Sequence, residues 1–184
     1  MIDVMLDIET LGTDSNSVIV SISAVVFDLQ TGKIGGEYEA GVNILEQLLN
    51  GGVIDTSTIG WWVTQSAVAK QALTNIIPND LDGVLKSFNT WLAASTTGQL
   101  KDVRIWGNGA VFDNVIVRNL YKRSAVSFVL PYRCDRDVRT LVAVAGINTK
   151  SFKFEGTKHC GIDDCKHQIK YCAAAYKELN NGKN

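Results

Sequence analysis

The chain has 184 residues, 46% hydrophobic and 20% charged, with a formal net charge of −1. That length suits one domain with a substantial core, and periodic apolar segments with few prolines exclude a disordered chain. No apolar run approaches the length needed to cross a membrane, and the start "MIDVMLDIET" carries acids and no basic stretch, unlike a signal peptide, so the expected setting is cytoplasmic.

The first segment, "IDVMLDIE" (2–9), reads as a strand, and "SVIVSISAVVFDLQTGKIGGEYEAGV" (17–42) as two more joined by a hairpin at Gly32. "TSTIGWWVTQSAVAKQAL" (56–73) reads as helical, with Ser and Thr as caps. "NDLDGVLKSFNTWLAAS" (79–95) reads as an amphipathic helix, with Leu81, Val84, Leu85, Phe88, Trp91 and Leu92 on one face. "DVRIWGN" (102–108) reads as a short strand and "FDNVIVRNLYKR" (112–123) as a helix. "RDVRTLVAVAG" (136–146) is a helix ending at Gly146, and "GIDDCKHQIKYCAAAYKELN" (161–180) is the last. Strands first, then helices alternating with short strands, make one α/β domain over 1–180, with 181–184 as a tail.

Charge is unevenly spread. Residues 1–99 hold 3 Lys and Arg against 11 Asp and Glu, a net of −8; residues 100–170 hold 13 against 7, a net of +6. This suits an anionic partner for the second half, though chance clustering of solvated charges explains it equally. The four cysteines, Cys134, Cys160, Cys165 and Cys172, form no CxxC pair and read as reduced thiols.

The first strand poses a chemical question. Residues two apart in a strand share a face, so Asp7 and Glu9 stand side by side and repel. One answer is an edge strand with a wet face. The other is a divalent cation, which paired carboxylate oxygens hold well. More acids stand at element edges. Asp113 opens a helix directly after a strand, where the helix dipole alone would favour it. Asp164 lies one turn into the last helix, beside Asp163, which reads as solvated surface. His159 sits just ahead on "FEGTKHCG", and an imidazole with a near-neutral pKa suits a general base.

Three ordered stretches then carry a family resemblance. "LDIETLG" (6–12), "GNGAVFD" (107–113) and "HCGIDDC" (159–165) resemble the three motifs of the DEDD 3′–5′ exonucleases, in the histidine (DEDDh) form represented by RNase T, oligoribonuclease and the polymerase III proofreading subunit. "STIGWWVTQS" (57–66) and "RDVRTL" (136–141) are similar to phage-type members, such as exonuclease A of T-even phages and a prophage exonuclease VIII, and to a mycobacterial exoribonuclease family. The resemblance implies a ribonuclease H-like α/β fold, with a five-stranded mixed sheet flanked by helices, and a phage or prophage origin. It implies 3′–5′ hydrolysis of nucleic acid, expected to be single-stranded DNA, with RNA as the alternative. It also implies two divalent ions, Mg²⁺ with Mn²⁺ as substitute, held by Asp7, Glu9, Asp113 and Asp164, with His159 taking a proton from the attacking water. Asp7 would bridge the ions. Some members are dimers, so a homodimer stays open. The pattern departs from the family at Gly161 and Cys165, where alanine is usual.

Substrate contacts are read more loosely. In the family the backbone near the first motif holds the terminal nucleotide, so Thr10 and Leu11 within it are candidates, Leu11 as a wedge against the last base, with Asn108 in the second motif. Trp61 and Trp62 could stack bases, but neighbours on a helix face different ways, so at least one belongs in the core. Arg136 and Arg139 meet phosphates or else pair with Asp135 and Asp137; Gln168 is equally open. Three rivals remain: a zinc cluster of Cys160, Cys165, His167 and Cys172, whose spacing matches no standard finger; a Cys160–His159 nucleophile, whose sequence neighbours rarely have the geometry; and a binding module without catalysis, which the intact acid and histidine set argues against.

Overall fold

The computed structural model describes residues 1–181. Strands β1 (Ile2–Thr10), β2 (Ile19–Phe27) and β3 (Ile34–Val42) form an antiparallel meander, whose β2–β3 turn needs Gly32 at a φ of 73°. Helices α1 (Ile44–Leu49), α2 (Thr56–Thr64) and α3 (Ala67–Asn75) follow. Then come β4 (Pro78–Asn79), α4 (Leu81–Ser95), β5 (Val103–Gly107), α5 (Asp113–Lys122), β6 (Asp135–Asp137), α6 (Val138–Val144) and α7 (Gly161–Asn181). The proposed tail from 181 begins inside α7 at Asn181, and 182–184 lie outside the described residues.

The sheet has six strands in the order β4-β3-β2-β1-β5-β6, not the expected five. The difference lies in its short edge strands. β4 is two residues long and pairs only with Gly41 and Val42, where a helix start was expected. β6 takes the Asp135–Asp137 segment, part of which the sequence reads as helix; that helix begins instead at Val138, because Asp137 caps it by accepting the Thr140 N–H at 2.7 Å. The expected helix over 56–73 is two helices. Ser66 accepts the Ala69 N–H and starts a second one, while Asp55, not a Ser or Thr, caps the first. α1 was not anticipated; Asn43 caps it.

β1 sits near the sheet centre, which explains its nearly unbroken apolar run. On one face Val4, Leu6 and Ile8 pack with Val84, Leu85, Phe88 and Leu92 of α4 and Ile116, Val117 and Leu120 of α5. On the other, Met5 packs with Val25, Trp106, Val142, Cys165, Ile169 and Cys172, under α6 and α7. Strand alternation carries Asp7 and Glu9 on from Met5, towards α7. Cys165 and Cys172 are therefore lining for an apolar layer, while the His167 ring packs on Phe154 and Tyr171. Three of the four residues weighed as a zinc cluster thus serve packing roles, and the fourth, Cys160, is half-buried outside that layer. No helix among the described residues is long and apolar enough to cross a membrane.

Candidate active site

β1 is antiparallel to β2 on one side and parallel to β5 on the other, with Leu6 in register with Gly107. β5 therefore ends level with Leu6 while β1 runs on to Thr10, and a crevice opens at the carboxyl end of β5, as in other open α/β sheets. Side-chain size sets how closely the elements approach. Asp7 and Glu9 pair across β2 with Ser23 and Ser21, two small residues. The start of α7 drops onto that gap. A Cβ on Gly161 would lie 2.3 Å from Ser23 Oγ and 2.6 Å from Ser23 Cβ. The departure from the family's alanine is thus a packing requirement here. Gly161→Ala is expected to lower stability by about 1–3 kcal/mol through overpacking, measured by urea melts. Adding Ser23→Gly should restore most of it; equal stability of wild type and the single mutant would refute the close fit.

The crevice is a cleft of about 570 Å³ whose lining includes Asp7, Glu9, Asp113, His159, Asp164 and Gln168. The five residues expected to carry the chemistry thus meet in one place, delivered by β1, α5, the 155–160 loop and α7. Ligand atoms of Glu9, His159 and Asp164 all lie within 4.8 Å of one another, a spacing able to hold a cation. His159 Nδ1 stands 4.0 Å from Glu9 Oε1, and its ring meets Trp61 and Trp62 edge-on, with centroids 5.0 and 5.7 Å away.

The electrostatics show what the cluster costs without a counter-charge. Burial, then the charges of Asp113, Glu9 and Asp164, raise Asp7 well above the carboxylate range. Glu9 rises to about 8, through burial and then Asp164 and Asp113. Asp113 rises to about 7 through burial, against the pull of the Ile8 backbone and Arg139. Asp164 rises to about 6, again mainly through burial. Four carboxylates that resist ionisation in one cleft, with an imidazole beside them, are a donor set that divalent cations fit. Burial, then Lys158, lowers the His159 pKa and favours the neutral ring.

The looser predictions divide. Thr10, Asn108, Trp61, Trp62 and Arg139 all line the cleft. Trp62 is buried and its indole N–H is taken by the Thr10 carbonyl at 2.9 Å, whereas Trp61 is 44% exposed. Leu11 is half-buried, and its backbone is tied to Val18 and Asp55. Its side chain is not part of the cleft lining, nor is that of Arg136, whose guanidinium donates to the Arg133 and Asp135 carbonyls. The alternative of Arg136 and Arg139 pairing with Asp135 and Asp137 is not what forms. Asp135 takes a bidentate pair with Arg118 and a bond from Asn114. Asp137 accepts the Ala110 N–H at 2.6 Å besides capping α6. Asp137 pins the turn leading into Asp113, and Asp135 the helix that Asp113 opens.

Gln168 is the residue the sequence left undecided. It is buried, and its Nε2 donates to Asp7 Oδ1 at 2.8 Å, fixing the carboxylate that faces the most negative charge. It stands four positions after Asp164, one turn along the same helix face, which is the signal that could have found it.

A mixed sheet with helices on both faces, its cleft bringing acids from β1, α5 and α7 to a loop histidine, gives the chain a ribonuclease H-like nuclease fold. The chain belongs to the family described as the 3′-5′ exoribonuclease Rv2179c-like domain, whose model matches residues 2–176. It is a 3′–5′ exonuclease. It is 26% identical over 180 residues to the exodeoxyribonuclease of Enterobacteria phage T4, covering 92% of this chain and 71% of that one. Its fold is similar to the nuclease domain of 3′hExo, a DEDDh family member bound to rAMP (TM-score 0.62, 13% identity, 98% of this chain and 92% of that one). It is also similar to E. coli Exonuclease I in complex with a dT13 oligonucleotide (TM-score 0.60, 12% identity, 99% of this chain but 42% of that one).

Proposed function

We propose that the protein removes nucleotides from the 3′ end of single-stranded DNA, with Asp7, Glu9, Asp113 and Asp164 holding two Mg²⁺ ions and His159 as general base. The convergence of four ionisation-resistant carboxylates on one histidine carries the mechanism. The likeness to a phage exodeoxyribonuclease over nearly the whole chain favours DNA. RNA is the second reading, favoured by the family's own description.

When bound, the cations would stabilise charge on both the attacking and the leaving oxygen. The protein's groups do the rest. Asp7 would serve both ions, Glu9 and Asp164 the one nearer His159, and Asp113 the other. Gln168 keeps Asp7 oriented. The neutral His159 ring accepts a proton from the attacking water, and the two tryptophans fix its plane. The exposed face of Trp61 offers a stacking surface to a base of any identity. Arg139, over the Gly109 turn that leads into Asp113, offers a cation to a phosphate; a Cβ on Gly109 would lie 3.4 Å from its Cζ.

The test is a gel assay with 5′-labelled single strands, one DNA and one RNA, each with Mg²⁺, Mn²⁺ or EDTA. A metal-dependent ladder shortening from the 3′ end, faster on DNA, is expected. Faster shortening of RNA would replace the substrate, and binding without shortening would replace the mechanism. In the same assay Arg139→Ala should raise KM about tenfold with little change in kcat, and reduce the salt dependence of binding by about one phosphate contact.

A further inference from the structure

The first turn of α7 carries two neighbouring acids, and the proposed mechanism uses only Asp164. Asp163 is absent from the cleft lining. As a first-turn acid it would be favoured by the helix dipole without any partner. Its side chain does more than that. Asp163 Oδ2 accepts the Thr157 N–H at 2.8 Å, reaching back six residues to the loop that bears His159. The chain passes so close there that a Cβ on Gly156 would fall 2.3 Å from Asp163 Oδ2, and Gly156 has a φ of 100°. Only glycine adopts that backbone readily at that distance.

Next door, Asp164 Oδ2 accepts the His159 N–H at 2.7 Å. His159 itself stands at a φ of 64°, an unfavourable region for a residue with a side chain. Something must hold it there. The Cys160 N–H closes a turn onto the Thr157 carbonyl at 3.2 Å, so fixing Thr157 fixes the turn that presents the histidine.

We infer that Asp163 is a positioning residue for His159: its carboxylate clamps the Gly156–Thr157 backbone and so sets the left-handed turn that aims the imidazole at Glu9 and Asp164. The two acids divide the work. Asp163 anchors the entry to the turn, and Asp164 anchors the histidine's own amide. The inference rests on the reading of His159 as general base.

The experiment is a double-mutant cycle on single-strand hydrolysis, with kcat and KM measured separately. Asp163→Ala should lower kcat about 10- to 100-fold, since a base displaced by about 1 Å loses that much, with KM within about twofold. Asp163→Asn should recover most of the loss, because its amide oxygen still accepts the Thr157 N–H. In a His159→Ala background, Asp163→Ala should cost less than about twofold more, as residues acting through one another are not additive. The Mn²⁺-induced thermal shift should match wild type in every variant, since none removes a carboxylate proposed to hold a cation. Losses that multiply across the two backgrounds, or an Asp163→Ala enzyme within twofold of wild type, would overturn the inference. Should Asp163→Ala not fold, Gly156→Ala, which pushes against the same carboxylate, takes its place in the cycle with the same expected pattern. A His159→Ala enzyme at the wild-type rate would remove the general-base reading itself, and this inference with it.

Discussion

Asp7→Asn is expected to abolish hydrolysis while making the metal-free protein more stable. Asp7 is the acid that faces the most like charge: burial, then Asp113, Glu9 and Asp164, raise its pKa. Asparagine keeps the shape and can still accept the Gln168 amide at Oδ1. What it removes is the negative charge and one strong oxygen ligand at the position proposed to serve both ions. Losing several kcal/mol of charge stabilisation in the transition state corresponds to a rate drop of about 10³-fold or more. Relief of like-charge repulsion works the other way on stability. The melting temperature in EDTA at pH 8 should rise by a few degrees, at about 2–4 °C per kcal/mol for a chain of this size. Single-turnover kinetics and a thermal melt on the same sample measure both. An active mutant would end the assignment of Asp7 to the metal site. An inactive one that melts well below wild type would show a structural role instead.

The opposite signs of those two effects mark a site where local rules are broken for function, and that is why so much of it was legible in the sequence. Two acids on one face of a central strand make no sense for packing, so Asp7 and Glu9 announced themselves. Asp113 and Asp164 were weaker singly and became readable through their order along the chain with His159. Residues that support the site were harder to see. Gln168 matters because α7 crosses β1 at the height of Asp7, a tertiary fact whose one local mark is its place a helical turn after Asp164. Asp163 looked like a solvated acid because its partner is a backbone N–H. Asp135 and Asp137 looked like partners for neighbouring arginines, yet one is claimed by Arg118 and the other by two backbone amides. The fold was legible in its long, periodic elements and not in its short ones. β4 and β6, at two and three residues, have no periodicity to read. The break between α2 and α3 turned on one serine that could sit equally well mid-helix or at a cap.

The metal-free protein should lose stability as pH rises from about 6.5 to 8.5, and a saturating divalent cation should remove most of that slope. The sign follows from the direction of the shifts. Glu9 and Asp113 have folded-state pKa values of about 8 and about 7, above their unfolded values near 4. A carboxyl whose folded pKa is raised binds a proton more tightly in the folded state, so stability falls as pH rises towards that pKa. Asp164, at about 6, has mostly titrated below this window. His159 and His167 have lowered values, so their contribution falls away as pH drops below about 6.5 and leaves the window clear. Asp7, also raised well above its unfolded value, adds a loss of the same sign; Glu9 and Asp113 alone give roughly 2–3 kcal/mol across the window, or about 5–10 °C in melting temperature. Bound cations favour the ionised carboxylates, so the folded and unfolded states then hold similar numbers of protons and the slope flattens. The measurement is a set of melts in EDTA and in 10 mM Mg²⁺ or Mn²⁺ across that range, with Glu9→Gln as control. Glu9→Gln should flatten the slope in EDTA more than Asp113→Asn does, because Glu9 has the higher pKa of the two. A pH-independent melting temperature in EDTA would mean that the carboxylates ionise freely in the folded protein. The electrostatic pressure proposed to draw cations into the cleft would then be absent.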